Sequence, residues 1–539
     1  MRRMPLSTIL SRVRMGWLAP ASLAFCLGAQ FSAPALAATT AAPVNLQLPT
    51  LGDGSDMTSS AERRLGDRIA REIYRDPDYI DDPVLVEYVQ AIWQPLLAAA
   101  RARGDLSSEL DERFAWEIML GRDRTVNAFA LPGGYLGVHL GLIAIVASRD
   151  ELASVLGHEL SHVTQRHISR LMSKQGQQAP WLIGAMILGA LAASKSPDAG
   201  SALIVGGQAA AIQTQLNFSR DMEREADRIG FGVMTQAGFE AQGFVSMFDK
   251  LQQASRLNDN GAYPYLRSHP LTTERIADMR SRQPLEIILP AAATPSAEHM
   301  MISARARVLS NPGVDALRAI AAEAQGLKMA TLAPPLQAGV LYGAALAGSR
   351  LRDFSMARDC LARLSRSVHA DAPAARLSRL LALEVEMAAG DDARAAALFR
   401  TGGDGVGTQV ASVFSQRRPE LFLRAQLALH AGAIEQVNDV AQRLQLWVLA
   451  HPHDAQAWQL LSSASAAQGQ TLRAIRADAE AQMARLDYAP ALERFKAAQE
   501  LSRQARSDST AAADHIDASI IDSRRRQVEL LLKEQSLER

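Results

Sequence analysis

Cysteine is nearly absent: the 539 residues hold 2, Cys26 and Cys360. A disulfide framework is therefore excluded as a source of stability. Charge of one sign is not in excess either. Lysine plus arginine and aspartate plus glutamate each count 57, so overall charge gives no pointer to nucleic acid. Aromatic residues are scarce, at 5%. No apolar run reaches the ~20 residues of a membrane-spanning helix. What is present is 48% hydrophobic and 21% charged residues, a mixture that excludes a mainly disordered or collagen-like chain. The length allows two to four domains at roughly 150 residues each.

The first residues carry their own pattern. Arg2, Arg3, Arg12 and Arg14 precede an apolar stretch, Trp17 to Leu27, and then Ala35-Leu36-Ala37. A positive end, a short apolar centre and small residues at a cleavage site read as a secretory signal peptide over residues 1–37. A retained anchor is the alternative, but Pro20 and the small residues make the stretch weakly apolar as well as short. Cys26 invites lipid attachment, although Phe25 is bulky where such sites need a small residue. Cleavage removes four arginines and no acidic residue, so the mature chain carries a net charge of −4. Only Cys360 then remains, expected as a small buried apolar residue.

Residues 38–55, rich in Ala, Thr, Pro and Gly, read as a linker. The pattern from Ser59 to Arg103 is helical, broken near Pro77 and Pro83. Phe114 to Leu120 and Val126 to Leu131 read as strands. Pro132-Gly133-Gly134 is a turn, and Tyr135 to Leu140 returns as a hairpin strand, which predicts a small antiparallel sheet. Ser148, with Glu151 three residues on, forms a capping box that opens a helix. Residues 286–300, with Pro290 and Pro295, read as a second linker. The stretch 301–510 has no strand signal and carries recurring helix pairs. One of them, with Trp458, Leu461, Gly469, Ala474 and Ala481, fits the 34-residue tetratricopeptide template, in which small residues let the second helix pack closely. Ser465 and Asp478 depart from it, and an ordinary helical bundle is the alternative. Residues 511–539, with Arg524-Arg525-Arg526, read as a charged tail, helical or frayed.

The chemistry concentrates in Gly157-His158-Glu159-Leu160-Ser161-His162. Two histidines four apart share a helical face one turn apart, so both can reach one zinc ion, while Glu159 beside them can accept a proton from water. Leu152, Val155, Leu156, Leu160 and Val163 give that helix an apolar face. A chance occurrence in a polar helix is the bland alternative, and a third ligand decides between them. The spacing H-E-x-x-H-x-x-G-x-x-H fails, because Gln165 and Ile168 stand where Gly and His are needed and His167 falls one residue short. A glutamate from a later helix is the other route. Asp221-Met222-Glu223-Arg224-Glu225-Ala226-Asp227 supplies Glu223 as ligand and Asp227, on the same face, to orient a ligand histidine. Glu225 points elsewhere and is expected in a surface pair.

These motifs, with Asn127-Ala128-Phe129-Ala130-Leu131-Pro132-Gly133-Gly134 upstream, resemble the zinc metallopeptidases that include the CAAX prenyl proteases and the bacterial heat-shock membrane proteases. The resemblance covers about residues 56–285. It is most similar to the signal-bearing branch with a tetratricopeptide tail, since no apolar run here is long enough for the membrane helices of the others. It implies an α+β fold, with a mainly helical zincin-type domain followed by an all-α repeat domain, and one zinc ion per chain. Ser268-His269-Pro270-Leu271-Thr272-Thr273-Glu274-Arg275-Ile276 also resembles the family's segment after the zinc-binding helices. His269 could donate to the oxyanion of the reaction, occupy the open zinc position in a resting enzyme, or merely precede a helix capped by Thr272 or Thr273.

Glu159 is the expected general base and acid. Residues Asn127, Ala128, Phe129, Ala130 and Leu131, as an edge strand, would hold an extended substrate by its backbone. The resemblance implies a periplasmic endopeptidase acting on misfolded or stalled envelope proteins in outer-membrane protein assembly, docked to the assembly machinery by its repeats, possessing a chaperone role as well. A repeat scaffold with a largely silent peptidase is the alternative. Trp181 to Ala193, 13 small or apolar residues, are too short to span a membrane at ~1.5 Å per residue. They read as a buried helix or lid, or as a peripheral contact with a membrane.

Overall fold

The computed structural model describes residues 57–174, 219–256, 262–283, 295–401, 417–505 and 512–537. The expected signal peptide, the 38–55 linker and the Trp181–Ala193 stretch lie outside the described residues. Helix α1 (Ser59–Arg75) starts at Thr58, whose hydroxyl accepts the Ala61 N–H. Helix α2 (Pro83–Arg103) is capped by Asp82, has proline in its first turn, and stops at Gly104 in the left-handed region. Those are the caps that satisfy otherwise orphaned end groups. Its Leu85, Ile92, Trp93 and Leu96 are fully buried and form the middle of the core.

After α3 (Ser108–Arg113) come three strands, β1 (Glu117–Gly121), β2 (Ala128–Leu131) and β3 (Tyr135–His139). β1 starts three residues later than the sequence pattern suggests. The Phe114 N–H closes α3 on the Leu110 carbonyl, and Trp116 has a positive φ of 52°. The hairpin is present, with β2 antiparallel to β3. The sheet as a whole is not antiparallel: β3 lies in the centre and pairs in parallel with β1, Glu117 opposite Tyr135 and Gly121 opposite His139. The segment between β1 and β2 carries the chain past the β3 position, so the returning strand fills the middle. Alternation of residues reveals strands but not their spatial order. β2 is consequently an edge strand, as expected.

Helices α4 (Leu140–Ile145), α5 (Arg149–Thr164) and α6 (His167–Lys174) follow, then α7 (Arg220–Gln236), α8 (Gln242–Arg256), the short α9 (Tyr265–Ser268) and α10 (Thr273–Ser281). The capping box of α5 is half formed. Ser148 Oγ accepts the Glu151 N–H, but the Glu151 carboxylate reaches Ala147 N–H and Lys250 Nζ instead. The sequence implies one apolar face on α5, whereas every residue from Glu151 to Thr164 is buried. A helix covered all round sits inside its domain.

The remaining helices are α11 (Ala297–Ser310), α12 (Val314–Glu323), α13 (Pro334–Arg350), α14 (Phe354–Ser367), α15 (Ala372–Ala389) and α16 (Asp392–Thr401). They are followed by α17 (Arg418–Ala431), α18 (Ile434–Ala450), α19 (Ala455–Ala467), α20 (Thr471–Ala484), α21 (Tyr488–Ala505) and α22 (Ala512–Leu537). Neighbours in sequence pack against one another, as α13 on α14 and α19 on α20. In the latter pair Trp458 and Leu461 meet Ala477 and Ala481 in one apolar cluster. One expectation needs correction here. Helix α11 begins inside the supposed 286–300 linker, because Ser296 caps it through the His299 N–H. Residues 512–537 take the helical alternative as α22, with Ile521 and Val528 fully buried and Arg524 holding Glu480. Cys360 is a buried free thiol.

Among the described residues, no solvated break separates the strand-bearing part from the helical array. A single apolar core runs from α2 through α5 and α8 into α11, α13 and α15. His299 on α11 bridges Tyr88 Oη, at 2.7 Å, and the Val146 carbonyl, at 2.9 Å. Arg305 on α11, 5% exposed, holds Asp82 at the start of α2 and Glu384 on α15 with paired contacts of 2.7–3.0 Å. Removing this cation leaves two partly buried carboxylates without it. Arg305→Met is therefore expected to cost about 3–5 kcal/mol of stability, read as a lower urea midpoint; an unchanged midpoint would mean that the bridge is dispensable.

Candidate metal centre

The centre is built where α5 crosses α7. Gly157 and Gly230 face each other there. A Cβ on Gly230 would lie 2.9 Å from Gly157 backbone atoms, and one on Gly157 would lie 3.1 Å from the Gly230 carbonyl. Glycine at both positions lets the backbones approach closely. The shared face of α7 then presents Glu223 and Asp227, one turn apart, to His158 and His162 on α5. The loop after α9 brings His269, whose ring stacks on Tyr265 with centroids 4.6 Å apart.

Four side chains converge: His158, His162, Glu223 and His269, all buried, with donor atoms within 4.8 Å of one another. His158 Nε2 lies 3.0 Å from His162 Nε2, 3.4 Å from His269 Nδ1 and 3.5 Å from Glu223 Oε2. Glu223 Oε1 lies 3.5 Å from His162 Nε2 and 3.0 Å from His269 Nδ1. Bond lengths of about 2.0–2.2 Å to zinc place tetrahedral donors roughly 3.3–3.6 Å apart, so the set is spaced for that ion. Its chemistry agrees, since three imidazoles and a carboxylate are zinc ligands. Glu159, fully buried beside them, has no hydrogen-bond partner on either oxygen. His269 Nε2 is 3.5 Å from Glu159 Oε1.

The surroundings set the charges. Burial pushes Glu223 up, but the facing His269 and His158 imidazoles outweigh it and hold the carboxyl well below its usual range. Burial lowers His158, yet the Asp227 and Glu223 carboxylates raise it to about 9. His162 is driven well below its ordinary value by burial and by His158 beside it. A cation among these groups would satisfy the converging donors at once. Asp227 Oδ1 lies 2.9 Å from His158 Nδ1, as the sequence suggested. Glu225 faces away, and pairs with Arg170 at 2.9 Å and with His167 at 3.0 Å. Thr272 caps α10 through the Arg275 N–H.

Arg275 escaped the sequence reading, and His167 entered it only as a rejected ligand. Arg275 holds Asp227 with two contacts of 2.6 and 2.8 Å, approaches Glu223 Oε2 to 2.8 Å, and donates to the Pro270 carbonyl next to His269. Its only signal was its place in the segment that follows His269. His167, one residue out of register for a metal ligand, lies 2.9 Å through Nδ1 from His162 Nδ1. Asn127 Oδ1, at the start of the edge strand, is buried without a partner. The strand itself packs on α5, and Val126 bonds to Ala262 and Tyr265, which ties it to the His269 loop.

A hydrolytic zinc centre, with a glutamate beside a His-His-Glu set, is the class that this fold and site define. A model of peptidase family M48 matches residues 87–283. A protein named putative beta-barrel assembly-enhancing protease, from Vibrio cholerae, is 36% identical over 324 residues, 59% of this chain and 63% of its own length. The beta-barrel assembly-enhancing protease of Yersinia pestis is 30% identical over 440 residues, 81% of this chain and 84% of that one. The mitochondrial metalloendopeptidase OMA1 of Saccharomyces cerevisiae is 28% identical over 196 residues, 35% of this chain and 54% of the relative. The chain belongs to peptidase family M48, the zinc metalloendopeptidases. Asp227→Ala removes the carboxylate behind His158 and is expected to weaken zinc binding about 10- to 100-fold. Competition with a chromophoric chelator measures this, and unchanged affinity would leave Asp227 without that role.

Proposed function

We propose that this chain is an exported endopeptidase that hydrolyses peptide bonds in misfolded or stalled envelope proteins during outer-membrane β-barrel assembly. The observation that carries the hydrolytic part is Glu159: a buried carboxylate without hydrogen-bond partners, beside a zinc-spaced cluster. The substrate class draws its support from the names of the Vibrio and Yersinia relatives. Periplasmic export draws its support from the pattern of residues 1–37. Among the described residues, no helix is long and apolar enough to cross a membrane.

His158, His162 and Glu223 would hold the ion. Zinc there supplies a Lewis acid that polarises the scissile carbonyl and makes water more acidic. Glu159 takes the proton of the attacking water and delivers one to the departing amine. β2, at the sheet edge beside α5, holds the substrate in extended form by backbone bonds, which read little side-chain sequence. Glu159→Gln is expected to keep its zinc while cleavage of a casein-type substrate falls by about 10²–10⁴-fold. Normal cleavage by that variant would remove Glu159 from the mechanism.

His269 is given the resting role. Its Nδ1 stands among the ligand atoms, so the site has four protein corners, whereas a hydrolytic zinc site keeps one open. Substrate access then requires the His269 loop to withdraw. His269→Ala is expected to raise cleavage at unchanged zinc content. A fall of roughly 10²–10³-fold, the loss typical of an oxyanion donor, would instead assign it to the reaction itself.

A second reading, a chaperone or scaffold, is favoured by a separate feature. A cleft of about 720 Å³ lies between the β1 side and helices α18 to α20. Tyr74, Tyr79, Trp116 and Trp447 line it together with Arg417 and Arg485. Such a surface suits a polypeptide held away from the metal centre. We read the helix pairs as degenerate tetratricopeptide repeats that dock the chain to the assembly machinery. Rescue of outer-membrane assembly in cells by Glu159→Gln would place the main function in holding; failure of rescue places it in cleavage.

A further inference from the structure

The two ligand histidines are supported differently. Behind His158 stands a carboxylate, Asp227. Behind His162 stands another imidazole, His167, fully buried, whose far nitrogen meets Glu225. We propose that His167 and Glu225 form a positioning relay that sets which nitrogen of His162 carries the proton, and so keeps its Nε2 lone pair aimed at the metal. This inference rests on the zinc reading above.

The argument runs inward from the surface. A carboxylate is acceptor-only, and a neutral imidazole has one N–H and one acceptor nitrogen. Glu225 also pairs with Arg170, 2.9 Å away, and faces His167 as an acceptor. It therefore draws the His167 proton to Nε2, 3.0 Å from its oxygen. That leaves His167 Nδ1 as an acceptor. His162 Nδ1, at 2.9 Å, must donate to it. With its one proton on Nδ1, His162 exposes the Nε2 lone pair to His158, Glu223 and the metal position. Changing either ring alone puts two lone pairs or two protons face to face at 2.9 Å, and changing both turns the His167 Nε2 lone pair toward the Glu225 carboxylate. Asp227 does the same for His158 in one step, through His158 Nδ1 at 2.9 Å. The relay does in two steps what one carboxylate does in one, because α6 places a histidine, not an acid, behind His162. His167 and Glu225 touch no substrate in this scheme; they act through His162.

The test uses the full chain. Zinc affinity is measured by competition with a chromophoric chelator, and the His162 tautomer by ¹⁵N shifts in histidine-labelled, metal-free protein. His167→Phe keeps a ring but removes the acceptor, and is expected to lower zinc affinity about 10- to 100-fold and to leave His162 in mixed tautomers. His167→Asn, which can offer its amide oxygen, is expected to recover part of the loss. Glu225→Ala alters a partly exposed side chain, so it tests the relay even where a core substitution fails to fold, and is expected to weaken binding by a smaller factor. Affinity within twofold of the parent and an unchanged tautomer in folded variants would overturn the relay alone. Failure of the unsubstituted chain to bind zinc would overturn the zinc reading as well.

Discussion

The close crossing of α5 and α7 at Gly157 and Gly230 is the contact on which the site depends. Any side chain at either position meets backbone within about 3 Å, and helices normally sit 8–10 Å apart because of such side chains. Absence of both lets α7 come near enough for Glu223 and Asp227 to reach the α5 imidazoles. Separation by even an ångström would take the carboxylate out of range of a shared ion. Metal ligation in this chain is thus a consequence of packing between two small-residue surfaces.

Such a site gathers charge inside the protein, where each unpaired ion is costly. Every charge near it has a partner. Arg275 neutralises Asp227 and leans on Glu223, Lys250 meets Glu151, and Arg170 meets Glu225. Glu159 is the exception, with no hydrogen bond to either oxygen. A buried carboxylate left without a hydrogen bond on either oxygen is where chemistry is expected. The helical array shares this rigidity, since Arg305 and His299 on α11 tie it to the first turn of α2 and to the end of α4.

Much of the site was legible because helical spacing is local. His158 and His162 at i and i+4, and Glu223 and Asp227 at the same spacing, declare their shared faces without any knowledge of the fold. The β2–β3 hairpin was legible for a similar reason, as Pro132-Gly133-Gly134 names its own turn. The order of the sheet was not, because β1 pairs with a strand 18 positions away by register and nothing local encodes that. The start of α11 was hidden by prolines that look like linker, although Ser296 is an ordinary helix cap. His167 was considered only as a ligand and rejected on spacing; its actual partner, the outer nitrogen of His162, lies around a bend after α5.

The sequence by itself determined the ligand chemistry, the helical faces that carry it and the predominance of helix after residue 301, since all of these follow from residue type and short-range periodicity. Only the tertiary structure decided that His269 stands among the ligand atoms, that Arg275 and His167 brace them, and that the helical array continues the peptidase core. Those outcomes depend on which surfaces meet, and that is set by the fit of side chains far apart in the chain.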